Sequence, residues 1–480
     1  MGGAAMKLAP ADIRVSETEP ASVARFGRAR TWHLSDSGGL KQFGLHRQTL
    51  EPGARSADRH WHDCEDEFLY VLDGVATVVD ERGAHDLGPG DAVGWPHGDP
   101  NAHCVVNRTD RPCSYLIAGA RVAQDVCTYP DSGLRQANTD TTWQVVDAAG
   151  AVLRGGDLPP EQLNLPPVWG RPYDGVPPPP ILRNEGRVWI DEADSAHPVL
   201  GGGLGPFRYC VLGEAAALSQ FGVHLESLPP GSRSSFRHWH MSEDEMVVML
   251  DGEVVLVEDT ETLLTAGDIA CWPAGHPVGH CLSNRSTRPA TYLVFGTRKE
   301  NDTIHYPDDD LVTVKEGAER RYMHADGRTR RRSRVSASVE ALHTLQGYLD
   351  HMAKAVLSDD FETYERHVSL PFQLVTETAS LVVHTLADLE SGFDEFVEML
   401  RAQRVTEYIR VAKSAMMSDN QMISGRYETH LLCEGKHVVP SFVSRISLRR
   451  EDGVWRAVSI VNATRNERWP VAWFKVSDEA

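Results

Sequence analysis

His60-Trp61-His62 sets two imidazoles two residues apart, and Glu67 follows five residues on. On an extended strand residues i and i+2 share a face, so both rings point one way and Trp61 the other. His103 supplies a third imidazole, after Gly90 and Pro96-His97-Gly98. Three imidazoles and one carboxylate suit a divalent transition metal, with Fe, Mn, Ni, Cu and Zn all acceptable to the set. A lone His-x-His is usually ordinary core or surface histidine. Here the whole set recurs as His238, His240, Glu245 and His280, so up to two ions per chain are expected. A six-coordinate ion held by four protein groups keeps two positions for substrate and for O₂ or water.

The recurrence extends well beyond the donors. Residues 43–74 and 221–252 align at an offset of 178, with 18 of 32 positions identical. After a one-residue gap the offset is 177. Gly90-Asp91 then matches Gly267-Asp268, Trp95-Pro96 matches Trp272-Pro273, and Tyr129-Pro130-Asp131 matches Tyr306-Pro307-Asp308. A period this long is a duplicated domain. Within each copy, short apolar runs end at Asp73-Gly74 and Asp251-Gly252, a strand-and-turn pattern that predicts a β barrel or jelly roll. Gln42 and His46 match Gln220 and His224 on the strand before each His-x-His. These four, with Tyr70, are candidates for contacting a substrate or supporting the site. Arg59, Arg237, Cys104 and Cys281 neighbour donors in sequence and should point away, while Trp95 and Trp272 are expected in the core. Tyr70 and the polar stretch 98–102 favour the first site as the catalytic one.

The spacings Gly53-x6-His60-x-His62-x4-Glu67-x6-Gly74 and Gly90-x5-Pro96-x-Gly98-x4-His103-x3-Asn107 resemble the two motifs of the cupin superfamily. They recur over 231–252 and 267–284. The resemblance covers roughly residues 30–135 and 205–310 and implies two tandem jelly-roll barrels that bind metal. It does not imply one reaction, because cupins include dioxygenases, decarboxylases, isomerases, lyases and non-catalytic binders.

The rest of the chain has other textures. Residues 159–180 hold nine prolines, four of them at 177–180, and predict an extended linker or strap. Seven arginines within 320–334 predict a second, solvated linker. From about 336 the periodicity becomes helical, with Leu342, Leu345, Leu349, Met352 and Val356 at spacings of three and four. Ser358-Asp359-Asp360 offers a cap for a helix over 361–367, and Phe393 to Leu400 marks another. Strand-like runs follow at 422–432, 438–448 and 454–461. In texture and element order this α+β segment resembles the SnoaL-like branch of the NTF2-like family. His367, His384, Tyr427, Glu428 and His430 are its candidate pocket residues. The expected division is thus 1–150, linker 151–185, 186–315, linker 316–335 and 336–480.

Charge and composition narrow the function. Lys and Arg number 48 against 68 Asp and Glu, a net −20. That field repels nucleic acid and anionic membranes. There is no apolar run of spanning length, no signal-peptide pattern and no Cys-x-x-Cys, so a cytoplasmic protein without a disulfide framework is expected. The expected function is a metal-dependent enzyme on a small polar organic molecule, an oxidoreductase of dioxygenase or oxidative decarboxylase type. A non-redox lyase or isomerase and a non-catalytic small-ligand sensor are the alternatives. Association into a homo-oligomer, most simply a dimer, is expected.

Overall fold

The computed structural model describes residues 6–462 except 160–161, 174, 176–180, 186, 188, 193, 195–196, 318, 331–333, 376–379 and 419–421. The four-proline run and Arg331-Arg332 therefore lie outside the described residues. The chain divides into two compact units, residues 1–195 with 202–330, and 196–201 with 331–480. Among the described residues no helix is long and apolar enough to cross a membrane.

The first unit holds both copies of the repeat, each built from facing antiparallel sheets. In the first copy a six-stranded sheet runs in the order Arg14–Glu17, Ala29–His33, Phe43–Leu50, Cys113–Ala120, Glu67–Asp73, Ala92–Trp95. Opposite it lie a three-stranded sheet around Ala76–Asp80 and a five-stranded sheet that includes Trp61–His62 and Asp125–Tyr129. The second copy repeats the plan with Phe221–Leu228, Ala290–Thr297, Glu245–Asp251 and Ile269–Trp272. Alternation decides what faces inward. Along Glu67–Asp73, Leu69 and Val71 fill the first barrel's core with Leu50 and Tyr115. Phe68 and Tyr70 point to the other face. Gly74 and Gly252 have φ of 73° and 76°. A Cβ there would sit 2.6 and 2.7 Å from the carbonyls of Pro112 and Pro289, so only glycine fits.

The outward faces of the two barrels meet in one shared core. Phe43, Leu45 and Phe68 pack there with Phe221, Val223 and Phe295, and Phe43 stacks on Phe221 at 6.1 Å. Burying each such ring contributes about 2–3 kcal/mol. Each six-stranded sheet would otherwise leave an open edge. Leu182 pairs with Ala92 at the first edge, and Lys7 with Ala270 at the second. The described part of the proline-rich linker is a strap, with Tyr173 N–H donating to His97 O and Ala123 N–H to Pro166 O. Two expected boundaries move. Val152–Asp157 pairs with Thr142–Val146, so the first sheet runs past residue 150. Glu319–Met323 pairs with Leu311–Glu316, so part of the arginine-rich stretch is a strand.

The second unit has helices Arg334–Leu357, Phe361–Arg366 and Leu386–Ala402 on a seven-stranded sheet. The side chains of Asp360 and Thr385 cap the last two by accepting from Thr363 and Asp388 N–H. The expected order of helices then strands is too simple. Val368–Val375 and Ser380–Val383 lie between the second and third helices, and Glu407–Ser418 precedes the expected strands. Polar residues such as Arg410 and Lys413 interrupt the alternation that would have marked the latter. The run expected at 438–448 is Phe442–Glu451.

Candidate metal centres

Pairing of the strand ends brings the donors together. His60 and His103 form an antiparallel bridge, as do His238 and His280. His62 pairs with Cys127, and His240 with Ile304. Glu67 and Glu245 begin the strands beside them. Ligand atoms of His60, Glu67 and His103 all lie within 4.8 Å of one another, and so do those of His238, His240 and Glu245. His103 Nε2 is 2.9 Å and His62 Nε2 3.9 Å from Glu67 Oε2. The matching distances to Glu245 Oε2 are 3.0 and 3.9 Å.

The orientation of the six rings is the stronger test of whether a cation fits. His60 Nδ1 bonds to Asp58 O at 2.8 Å, and His103 Nδ1 to Asn101 O at 3.2 Å. His238 and His280 do the same with Phe236 O and Val278 O, at 2.9 and 3.3 Å. Carbonyl oxygens only accept, so each Nδ1 carries the proton and each Nε2 keeps its lone pair for the centre. His62 and His240 instead place Nδ1 2.6 Å from the carboxylates of Asp125 and Asp302. Trp95 and Trp272 stack flat on His103 and His280, 3.6 and 3.8 Å apart. They were expected to be core packing alone, and they also hold the third imidazole of each set.

Electrostatics divide the rings: His60 and His238 are held neutral, while His62 and His240 are pulled toward the charged form by the carboxylates beside them. Burial, then neighbouring imidazoles, pushes His238 down to about 3. Burial likewise pushes His60 down to about 4. Burial alone would lower His62 too, but Glu67 and Asp125 outweigh it and raise it. Burial would raise Glu67, yet His62 and His103 hold it far below the usual carboxylate range. Glu245 behaves alike beside His280 and His238.

The expected supporting residues fare differently. Gln42 and Gln220 do not turn to a ligand. Each donates from Nε2 to the opposite barrel, Gln42 to Ser242 O, and Gln220 to Cys64 O and Trp169 O. Tyr70 lies in the shared core, because alternation from Glu67 points it outward. Asn101 bonds Asp80 and Glu81 N–H. Tyr70 and Asn101 therefore give no reason to favour the first site, while Asp99 of the same stretch is buried and interacts with His103. Arg59 and Arg237 pair with Asp131 and Asp308 away from the donors. In the second unit, Tyr427 lines a cavity. His384 is exposed, His367 bonds Thr363 O, and Glu428 and His430 pair with Lys413 and His437.

His46 and His224 occupy matching positions with opposite electrostatics. His46 faces His33, Arg121, Asp36 and Arg14, and burial first, then His33, pushes it down to about 4. His224 faces Glu214 and Glu226. Burial would lower it, but these carboxylates raise it to about 9. A depressed histidine favours the fold fully above its unfolded value near 6.5, and that contribution is lost as pH falls toward 4. A raised one contributes fully below 6.5 and is lost as pH rises through 9. His46→Gln should gain stability relative to the parent from pH 7.5 to 5, and His224→Gln should lose it. Urea unfolding of the metal-free proteins at both pH values checks this, and pH-independent differences would contradict it.

Sequence reading missed Asp125, Asp302, Tyr129 and Tyr306. Tyr129 and Tyr306 lie beside His60 and His238, at 5.7 and 5.8 Å. All four keep the 177 offset, and that was the available signal. It also missed Cys127, whose Sγ lies within 4.8 Å of donor atoms of His60 and His62. Ile304 stands opposite His240 in the second copy, so at this position the first centre has sulfur and the second does not. Thiolates favour soft ions. Cobalt(II) loading should therefore give a thiolate-to-cobalt absorption band that persists in His238→Ala and is absent in Cys127→Ser. The same band in Cys127→Ser would rule this out.

A cupin domain model matches the chain twice, over residues 46–119 and 224–296. The chain is a bicupin of the cupin superfamily. Among curated proteins none matches it. The bicupin is similar to solved structures. One is a cupin-superfamily sugar phosphate isomerase from Silicibacter pomeroyi, 34% identical over 33% of this chain and 95% of that chain, with a TM-score of 0.26. A variant of oxalate decarboxylase from Bacillus subtilis is 17% identical, covering 64% of this chain and 81% of that one, with a TM-score of 0.38. AerE from Microcystis aeruginosa is 12% identical, covering 60% and 97%, with a TM-score of 0.35.

Proposed function

We propose that this bicupin is a metal-dependent enzyme acting on a small polar organic molecule, with oxidoreductase chemistry of dioxygenase or oxidative decarboxylase type. The observation that carries this reading is the anchoring of all six imidazoles through Nδ1, with Nε2 of His62, His103, His240 and His280 within 4 Å of Glu67 or Glu245. His60, His62, Glu67 and His103 would hold one ion, and His238, His240, Glu245 and His280 a second. A bound redox ion would supply electron transfer to oxygen and polarise the substrate. The chain's own part is orientation. Asp125 and Asp302 fix His62 and His240 in one tautomer, while Trp95 and Trp272 cover one face of His103 and His280 and exclude water there.

In this reading the protein is a cytoplasmic homodimer that does not bind nucleic acid, and the third segment is NTF2-like. The test is oxygen uptake and CO₂ release by iron-, manganese-, nickel-, copper- and zinc-loaded protein, offered dicarboxylic, keto and sugar acids. Turnover with a redox ion and none with zinc supports the proposal. Turnover with zinc and no oxygen use points to a lyase or isomerase. Ligand binding without any turnover points to a sensor.

A further inference from the structure

The second unit holds a partly open cavity of about 90 Å³ between helix Leu386–Ala402 and its sheet. One water needs roughly 10–15 Å³, so there is room for a one-ring molecule. Phe372, Phe393, Phe396, Tyr364, Tyr408 and Tyr427 make it largely aromatic. Into this wall Glu407–Ser418 inserts Arg410, only 6% exposed. One guanidinium nitrogen donates to Leu349 O at 2.7 Å, and the group lies 4.9 Å from the Tyr408 ring centre. Its Nε has no hydrogen-bond partner among the described residues. Burial works against its charge, and the titratable groups around it are Tyr408, Tyr427, Tyr348 and Tyr364, which are neutral at ordinary pH. A buried cation with a free donor and no paired carboxylate is costly unless something anionic completes it. Glu395, from the helix, also lines the cavity and keeps Oε2 buried without a partner.

We propose that this cavity is a binding site for a small aromatic carboxylate. The ligand's carboxylate sits on Arg410, its ring lies among Phe372, Phe393 and Phe396, and a ring hydroxyl donates to Glu395. Guanidinium suits this role because its fork of donors matches a carboxylate. The site lies wholly within the second unit and does not depend on the metal centres.

The experiment titrates the full chain with benzoate, hydroxybenzoates and phenylacetate, and with the matching neutral amides, by calorimetry. Chelator-treated His60→Ala/His238→Ala protein is titrated in parallel, so that carboxylates binding at a cupin metal are recognised. The expected result is one site per chain, acids binding at least about tenfold tighter than amides, and the same affinity in the double variant. Arg410→Gln should abolish the preference for acids, and Arg410→Lys should restore part of it. Acid-over-amide discrimination in the parent chain tests the idea even if Arg410 variants do not fold. Equal binding of acids and amides, loss of binding in the double variant, or no binding by any of the acids would overturn it.

Discussion

His60→Ala is expected to remove one equivalent of divalent metal per chain, and His238→Ala the other. Elemental mass spectrometry on protein purified without a histidine tag reads this directly, with two equivalents in the parent and none in the double variant. The expectation rests on geometry that a structural histidine cluster would not need. Each Nδ1 is already bonded to an acceptor, which leaves Nε2 unprotonated and directed inward. Removing one of four donors should weaken binding by orders of magnitude. Asp125→Asn, which keeps the donors but disturbs the support of His62 and the bond Asp125 accepts from Cys64 N–H, should weaken the first centre by about 10- to 100-fold. Metal content that stays at two in both histidine variants would sink the assignment of these residues as ligands.

Asp66→Ala should cost about 3–5 kcal/mol of stability, the largest structural effect expected from one substitution. Asp66 is completely buried. One oxygen accepts from His97 N–H and Nδ1, at 2.8 and 2.6 Å. The other accepts from Ser219 and Gln220 N–H of the second copy, at 2.6 and 2.8 Å. Asp244 does the reciprocal job, accepting from Lys41 and Gln42 N–H of the first copy and from Ala274 N–H of its own. Alanine would leave several buried donors unsatisfied, at about 1–3 kcal/mol each. Asparagine should not rescue, since its amide donates where acceptors are required. Urea unfolding measures the effect, and a loss under about 1 kcal/mol would show that the two copies are held by their apolar core alone.

The candidate donors were legible because their logic is local. His60 and His62 share a face by strand periodicity, and duplication repeats Glu67 and His103 as Glu245 and His280, so spacing and recurrence suffice. Helix Leu386–Ala402 was legible for the same reason, from its apolar stripe over Phe393 to Leu400. Partners across space were not. Gln42, Gln220 and Tyr70 looked like site residues because they lie near it in sequence. The packing of one barrel against the other claimed them, and nothing in either copy alone reveals that contact. His46 and His224 align perfectly, yet one meets histidine and arginine and the other two glutamates, because facing strands diverged between the copies.

The repeat, the two candidate donor sets and the mainly β architecture could be read from the residues alone, because they rest on the internal duplication and on strand periodicity. The Nδ1 anchors, the buried Asp66 and Asp244 linkages, the sulfur beside the first centre and the cavity around Arg410 emerged from the folded chain. Burial and unpaired charge are properties of what surrounds a residue, and those surroundings come from distant parts of the chain.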